Sequence, residues 1–115
     1  KGTEIAPGTV VYASGPHAVV MSDGRASTAR VLSGLRRANV RRPTLLVVTG
    51  GGRTAASQLG AVVGRLRPAA VLVPTGVMLP GATVVTNATR ARAGPFAVTV
   101  IPDSRRLVVR VTRVG

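Results

Sequence analysis

Thr28 to Val73 reads TARVLSGLRRANVRRPTLLVVTGGGRTAASQLGAVVGRLRPAAVLV, and its hydrophobic period alternates between that of a helix and that of a buried strand. From Thr28 to Asn39 the apolar residues Val31, Leu32, Leu35 and Ala38 recur at helical spacing, with Ser27 placed to cap the first turn. Arg30, Arg37 and Arg41 recur on a different face, and Pro43 is expected to end the helix. Leu45 to Val48 (LLVV) is continuously apolar, which suits a strand buried on both sides in a parallel sheet covered by helices. After the turn Thr49 to Arg53 (TGGGR), a second helix is predicted at about 54–67, burying Leu59, Val62, Val63 and Leu66. Pro68 closes it, and Ala70 to Val73 (AVLV) is the next buried strand. Residues 45–48 and 70–73 should therefore be neighbouring or near-neighbouring parallel strands joined by a helical crossover.

The flanks are strand-like. Thr9 to Ser14 and Ala18 to Ser22 are β-branched runs separated by Gly15-Pro16-His17, a hairpin signal, and Asp23-Gly24 stops the second. Beyond Pro80 the helical patterns cease. Ala82 to Thr86, Phe96 to Ile101 and Leu107 to Thr112 read as short strands joined by turns such as Gly94-Pro95 and Pro102-Asp103-Ser104. In the last strand Leu107, Val109 and Val111 face one way and Arg106 and Arg110 the other. The expected fold class is α/β: a mixed sheet with helices packed on it, built as hairpin, β-α-β-α-β and short C-terminal strands. Residues 1–115 form one domain on this reading. The chain begins at Lys1 without a Met, and we expect it to be excised from a longer membrane protein. Pro68 to Thr89 is uncharged and long enough to span a bilayer, but Pro74, Gly76, Pro80 and Gly81 argue against a transmembrane helix.

Charge narrows the partners. The 115 residues carry a formal net charge of +13. Of the 16 Lys and Arg residues only Lys1 is lysine, against 3 acids: Glu4, Asp23 and Asp103. Arginine in place of lysine is the usage of a GC-rich genome, but that bias does not remove acids. An imbalance of this size points to a polyanionic partner, nucleic acid or an anionic membrane surface. Tyr12 and Phe96 are the only aromatics, both in core-facing strand patterns, so base stacking has no platform. Nucleic-acid contact would go through phosphates, with Arg as donor.

The loop Thr49 to Ala56 emerges where an α/β sheet usually places its site. It lacks the Gly-Lys-Ser/Thr ending of a P-loop and the G-x-G-x-x-G spacing. Gly51, Gly52 and Arg53 could turn backbone N–H groups and a guanidinium toward an anion, and the simpler reading is a sharp turn. Hydrolytic zinc sites need three or four His, Asp, Glu or Cys ligands, and this chain has 1 His, no Cys and 3 acids. A Ser-His-Asp triad would have to recruit His17, read here as a solvated turn residue. Asp23, before Gly24, reads as a turn former. No catalytic residue, metal or cofactor is assigned.

The segments AVVMSDG (18–24) and ARVLSGLRRANVRRPTLLVVTGGGRTAASQLGAVVGRLRPAAVLVPTG (29–76) resemble the metallo-β-lactamase-like domain at the C-terminus of ComEC-type competence proteins, the membrane channels for DNA uptake. In that family an apolar strand runs into T-H-x-H-x-D-H. Here Thr49 matches the Thr, while Gly50 and Gly52 stand at metal-binding His positions and Thr54 and Ala55 at the Asp and His. The resemblance covers residues 9–76 and implies a shortened metallo-β-lactamase-like domain with its metal ligands lost. It further implies a domain tethered to the cell membrane, extracytoplasmic, attached to the channel part of the same polypeptide. With the basic charge, the expected function is non-catalytic contact with DNA backbone through Arg30, Arg37, Arg41, Arg53, Arg106 and Arg110, with Gly51 and Gly52 in the loop. Two other readings stay open: a structural or protein-interaction module, and a small phospho-ligand-binding domain using the glycine loop.

Overall fold

A computed structural model describes residues 2–114. Its strands are β1 (Thr3–Ala6), β2 (Thr9–Ser14), β3 (His17–Ser22), β4 (Leu45–Val48), β5 (Ala70–Val73), β6 (Thr83–Val84), β7 (Thr89–Ala93), β8 (Phe96–Asp103) and β9 (Arg106–Arg113). The helices are α1 (Thr28–Arg37), between β3 and β4, and α2 (Gly52–Leu66), between β4 and β5. Strands β1 to β6 form one sheet in sequence order, and β7 to β9 form a second. The first sheet is mixed: β1, β2 and β3 pair antiparallel, whereas β3 to β6 are parallel neighbours. The expected β4/β5 pairing is present, with Leu45, Leu46 and Val47 opposite Ala70, Val71 and Leu72.

The unbroken apolar run of β4 follows from what lies on its two sides. Successive strand side chains point to opposite faces. Leu46 and Val48 join the core beneath the helices, with Val20, Val71, Val31, Leu35, Leu59 and Val62. Leu45 and Val47 join the core against the second sheet, with Val19, Leu72, Phe96, Val98, Val100 and Leu107. Burying one such Leu or Val fully is worth about 1.5–3 kcal/mol, so neither core tolerates a polar residue in β4. The molecule is thus three layers: helices, mixed sheet, antiparallel sheet. The second sheet is what the sequence left unspecified for its final strands.

Ser27 caps α1 as expected, its side chain accepting from the Arg30 N–H. The helix stops at Arg37 rather than running to Asn39, because Asn39 takes a left-handed backbone (φ 60°). That residue, not Pro43, ends it. Thr28 ties α1 to α2: its N–H donates to the Gln58 side-chain carbonyl and its hydroxyl to the Gln58 backbone carbonyl, at 3.1 and 2.6 Å. Helix α2 begins at Gly52, two residues earlier than expected, and buries Ala55 along with Leu59 and Val62, while Val63 and Leu66 are half-buried. Two strands were not anticipated: β1, whose Pro7-Gly8 turn leads into β2, and β7. The expected strand Ala82–Thr86 shrinks to Thr83–Val84. No helix among the described residues is long and apolar enough to cross a membrane.

Candidate functional site

The loops after β3, β4 and β5 gather at the carboxyl edge of the parallel strands, and backbone contact locks the first two together. Gly24 has φ 77°, and a Cβ there would stand 2.4 Å from the Ala55 Cα. Gly51, which caps α2 with φ 96°, would place a Cβ 2.4 Å from the Asp23 carbonyl oxygen. Real side chains do not fit at either position, so these glycines are demanded by close approach as well as by a left-handed backbone. Beneath them Thr9 and Ser22 are fully buried, their hydroxyls bonded to each other at 2.9 Å, and Ser22 Oγ accepts from the Gly24 N–H. Asp23 is the turn former expected: Oδ1 accepts from the Arg25 N–H, and Oδ2 forms an ion pair with Arg25 Nε at 2.7 Å.

Thr49 joins the two sheets at this edge. Its N–H donates to the Ser22 carbonyl, and its own carbonyl accepts from the Leu107 N–H of β9. The start of β9 is thereby held beside the glycine loop. At Gly50, which is buried, the space a Cβ would enter meets the Arg106 Cγ at 3.4 Å. The equivalent space at Gly76, after β5, meets the Arg105 guanidinium at 3.1 Å. With Arg25 and Arg53, both exposed, the carboxyl edge carries four arginines on its rim.

Zinc does not fit here. At the four positions that resemble metal-ligand places stand Gly50, Gly52, Thr54 and Ala55. Gly50 faces the stem of an arginine, and Ala55 is wholly buried against Gly24. Guanidinium groups repel a divalent cation, and the carboxylate that does stand at this edge, Asp23, is taken up by Arg25. Among the described residues no group of three or more His, Cys, Asp or Glu stands close enough to hold a metal ion.

The eight residues singled out from the sequence do not share one surface. Gly51, Gly52, Arg53 and Arg106 meet at the carboxyl edge. Arg30 and Arg37 lie on α1 beside β1, where Arg37 donates to the Ile5 carbonyl at 3.3 Å, so part of its role is to tie that edge strand down. Arg41 follows α1 at the opposite end of the sheet, lining with Arg42 a cavity of about 410 Å³ under the Gly15-Pro16 turn. Arg110 is on the exposed face of the second sheet, across the molecule from the helices. His17 is not a solvated tip. It opens β3, is half-buried, and packs on Gly94, whose Cβ would stand 2.3 Å from the imidazole. Tyr12 and Phe96 pack edge-to-face with ring centres 6.2 Å apart, as core-facing residues should. One arginine does meet an aromatic: the Arg113 guanidinium stands 5.9 Å from the Phe96 ring centre.

Arg90 and Arg92 were missed. They stand on β7, TRARA, where Ala91 and Ala93 turn inward and both arginines outward. The alternation of small residue and arginine just before Gly94-Pro95 was the available signal. Altogether every arginine in the chain is exposed, and the only salt bridge among the described residues is Arg25–Asp23.

This mixed α/β architecture is similar in fold to solved metallo-β-lactamases. The chain superposes on the metallo-β-lactamase SMB-1 bound to 2-mercaptoethanesulfonate with a TM-score of 0.67 and 13% identity, covering 96% of this chain and 60% of that one. The B3 metallo-β-lactamase BLEG-1 gives a TM-score of 0.65 at 16% identity, with 98% and 66% covered. ETHE1 from Myxococcus xanthus gives 0.64 at 16% identity, with 90% and 48% covered. At such identities the likeness is one of fold, and the chain spans about three fifths of the first of these enzymes. No family model matches the sequence, and no curated protein matches it.

Proposed function

We propose that this chain is a non-catalytic, metallo-β-lactamase-like accessory domain that binds DNA through its phosphate backbone, as part of a ComEC-type DNA-uptake membrane protein. The observation that carries the reading is the surface charge: every arginine exposed, with a single ion pair among the described residues. Unpaired guanidinium groups at this density repel one another, and a polyanion relieves that repulsion while supplying oxygen acceptors. Gly50, Gly52, Thr54 and Ala55, at the places that resemble metal-ligand positions, support a role without metal chemistry. Attachment to a channel, on the extracytoplasmic side, rests on the resemblance of residues 9–76.

The test is made on the purified chain with two labelled duplexes of equal length and unrelated sequence. At low salt both should bind with the same affinity. Neither should be cut when zinc is added, and elemental analysis should find zinc far below one per chain. Absent binding, a marked preference for one duplex, stoichiometric zinc or metal-dependent cleavage would each overturn the proposal.

A further inference from the structure

The outward face of the second sheet is set by a simple alternation. On β7, Ala91 and Ala93 turn toward the core and Arg90 and Arg92 away from it. On β8, Phe96, Val98 and Val100 are buried, which leaves Ala97, Thr99 and Ile101 on the outer side. On β9, Leu107 is buried with Val109 and Val111 packed against the same core, so Val108, Arg110 and Thr112 point out. Strand register sets these outward residues in rows. Arg90 lies opposite Thr99, and Thr99 opposite Arg110; Arg92 lies opposite Ala97, and Ala97 opposite Thr112. The middle strand contributes only short side chains to both rows, so nothing on β8 covers the three guanidinium groups. Neighbouring strands are about 4.8 Å apart, which places Arg90 and Arg110 about 10 Å apart across the sheet.

The face has no acid near these rows. Its one carboxylate, Asp103, ends β8 and pairs in register with Arg106. Asp103 lies four residues beyond Thr99, about 13 Å away at roughly 3.3 Å per strand residue. That exceeds the screening length of about 8 Å at physiological ionic strength. The three arginines therefore present positive charge that no group on their own face neutralises. The Thr99 hydroxyl lies between Arg90 and Arg110, and no aromatic reaches this face, because Phe96 and Tyr12 pack in the inter-sheet core.

We infer that the outward face of the β7–β9 sheet is the surface that docks on duplex DNA, with Arg90, Arg92 and Arg110 neutralising its phosphates. This rests on the DNA-binding reading above and assigns it to a face. A flat sheet lined by guanidinium groups with no stacking platform suits a phosphate-lined duplex rather than unstacked bases. Arg30, Arg36, Arg37 and Arg65, along the helix layer, lie on the far side of the first sheet and cannot join the same contact.

The experiment compares three variants of the full chain with wild type, reading the slope of log affinity against log salt on a random-sequence duplex. The Arg90→Ala/Arg92→Ala/Arg110→Ala variant should flatten the slope by about three units, since each lost phosphate contact removes about 0.9. The lysine triple at the same positions should keep the slope within one unit of wild type, because it keeps the charge, and should fold as wild type does. Arg36→Ala/Arg65→Ala, in the helix layer, should change the slope by less than one unit. If wild type does not bind duplex, the proposed function itself fails. If wild type binds but the alanine triple keeps its slope, or the helix-layer variant loses as much, the assignment of the face fails and DNA binding stands. Vesicles of phosphatidylserine form a separate arm. Loss of vesicle binding in the alanine triple with duplex binding intact would also overturn the assignment.

Discussion

Gly24 and Gly52 both have a left-handed backbone, with φ of 77° and 52°, yet their surroundings differ. A methyl at Gly24 would collide with the Ala55 backbone, whereas at Gly52 it would enter open space. Gly52→Ala should therefore cost only the backbone strain, about 1 kcal/mol. Gly24→Ala adds an overlap with buried backbone and should cost clearly more, about 3 kcal/mol. Denaturant unfolding of the two variants checks the order, and equal losses would mean that the two loops are not interlocked. The glycines of the loop were legible in the sequence as a turn signal. Their closeness to Asp23 and Ala55 was not, because residues far apart in the chain meet only once β3 and β4 pair. The same holds for Arg106, whose position over Gly50 depends on Thr49 bonding to β9. His17 was misread for a related reason: its partner Gly94 belongs to a turn of the other sheet.

Among the elements, periodic patterns served well where one face is buried and poorly where capping decides. β4, β5 and the two helices follow from their apolar spacing, since each must cover one or both faces of the first sheet. β1 was missed because its four residues, TEIA, include one charge and one buried side chain. β7 was missed because its inward residues are only alanines, too small to register as a hydrophobic stripe. Helix ends depend on backbone conformations that periodicity does not report. α2 ends on Arg67, a non-glycine residue with φ 48°, whose N–H donates to the Val63 carbonyl. Arg67→Gly should relieve that strain and stabilise the chain by about 0.5–1 kcal/mol. The Arg42 Nε bond to the residue 67 carbonyl needs no side chain at that position and should persist. Thermal unfolding reads the effect, and a lower midpoint would show that the arginine side chain contributes more than its backbone costs.

On the scale of the whole molecule, the sequence announced a basic domain and the fold distributes that charge over separate surfaces. The helix layer carries Arg30 and Arg37, the carboxyl edge Arg53 and Arg106, and the outer sheet Arg90, Arg92 and Arg110. Composition alone could not say which of these acts as a unit, because that depends on strand register and on which face each element covers. The central claim, that exposed arginines bind a polyanion through its phosphates, is tested most directly by the salt dependence of duplex affinity. With four to six phosphate contacts, log affinity should fall linearly with log salt at a slope of about −4 to −5. Such a slope weakens binding by roughly 200-fold or more between 50 and 200 mM salt, equally for unrelated sequences. An affinity that barely moves over that range, or that follows base sequence rather than salt, would contradict the account.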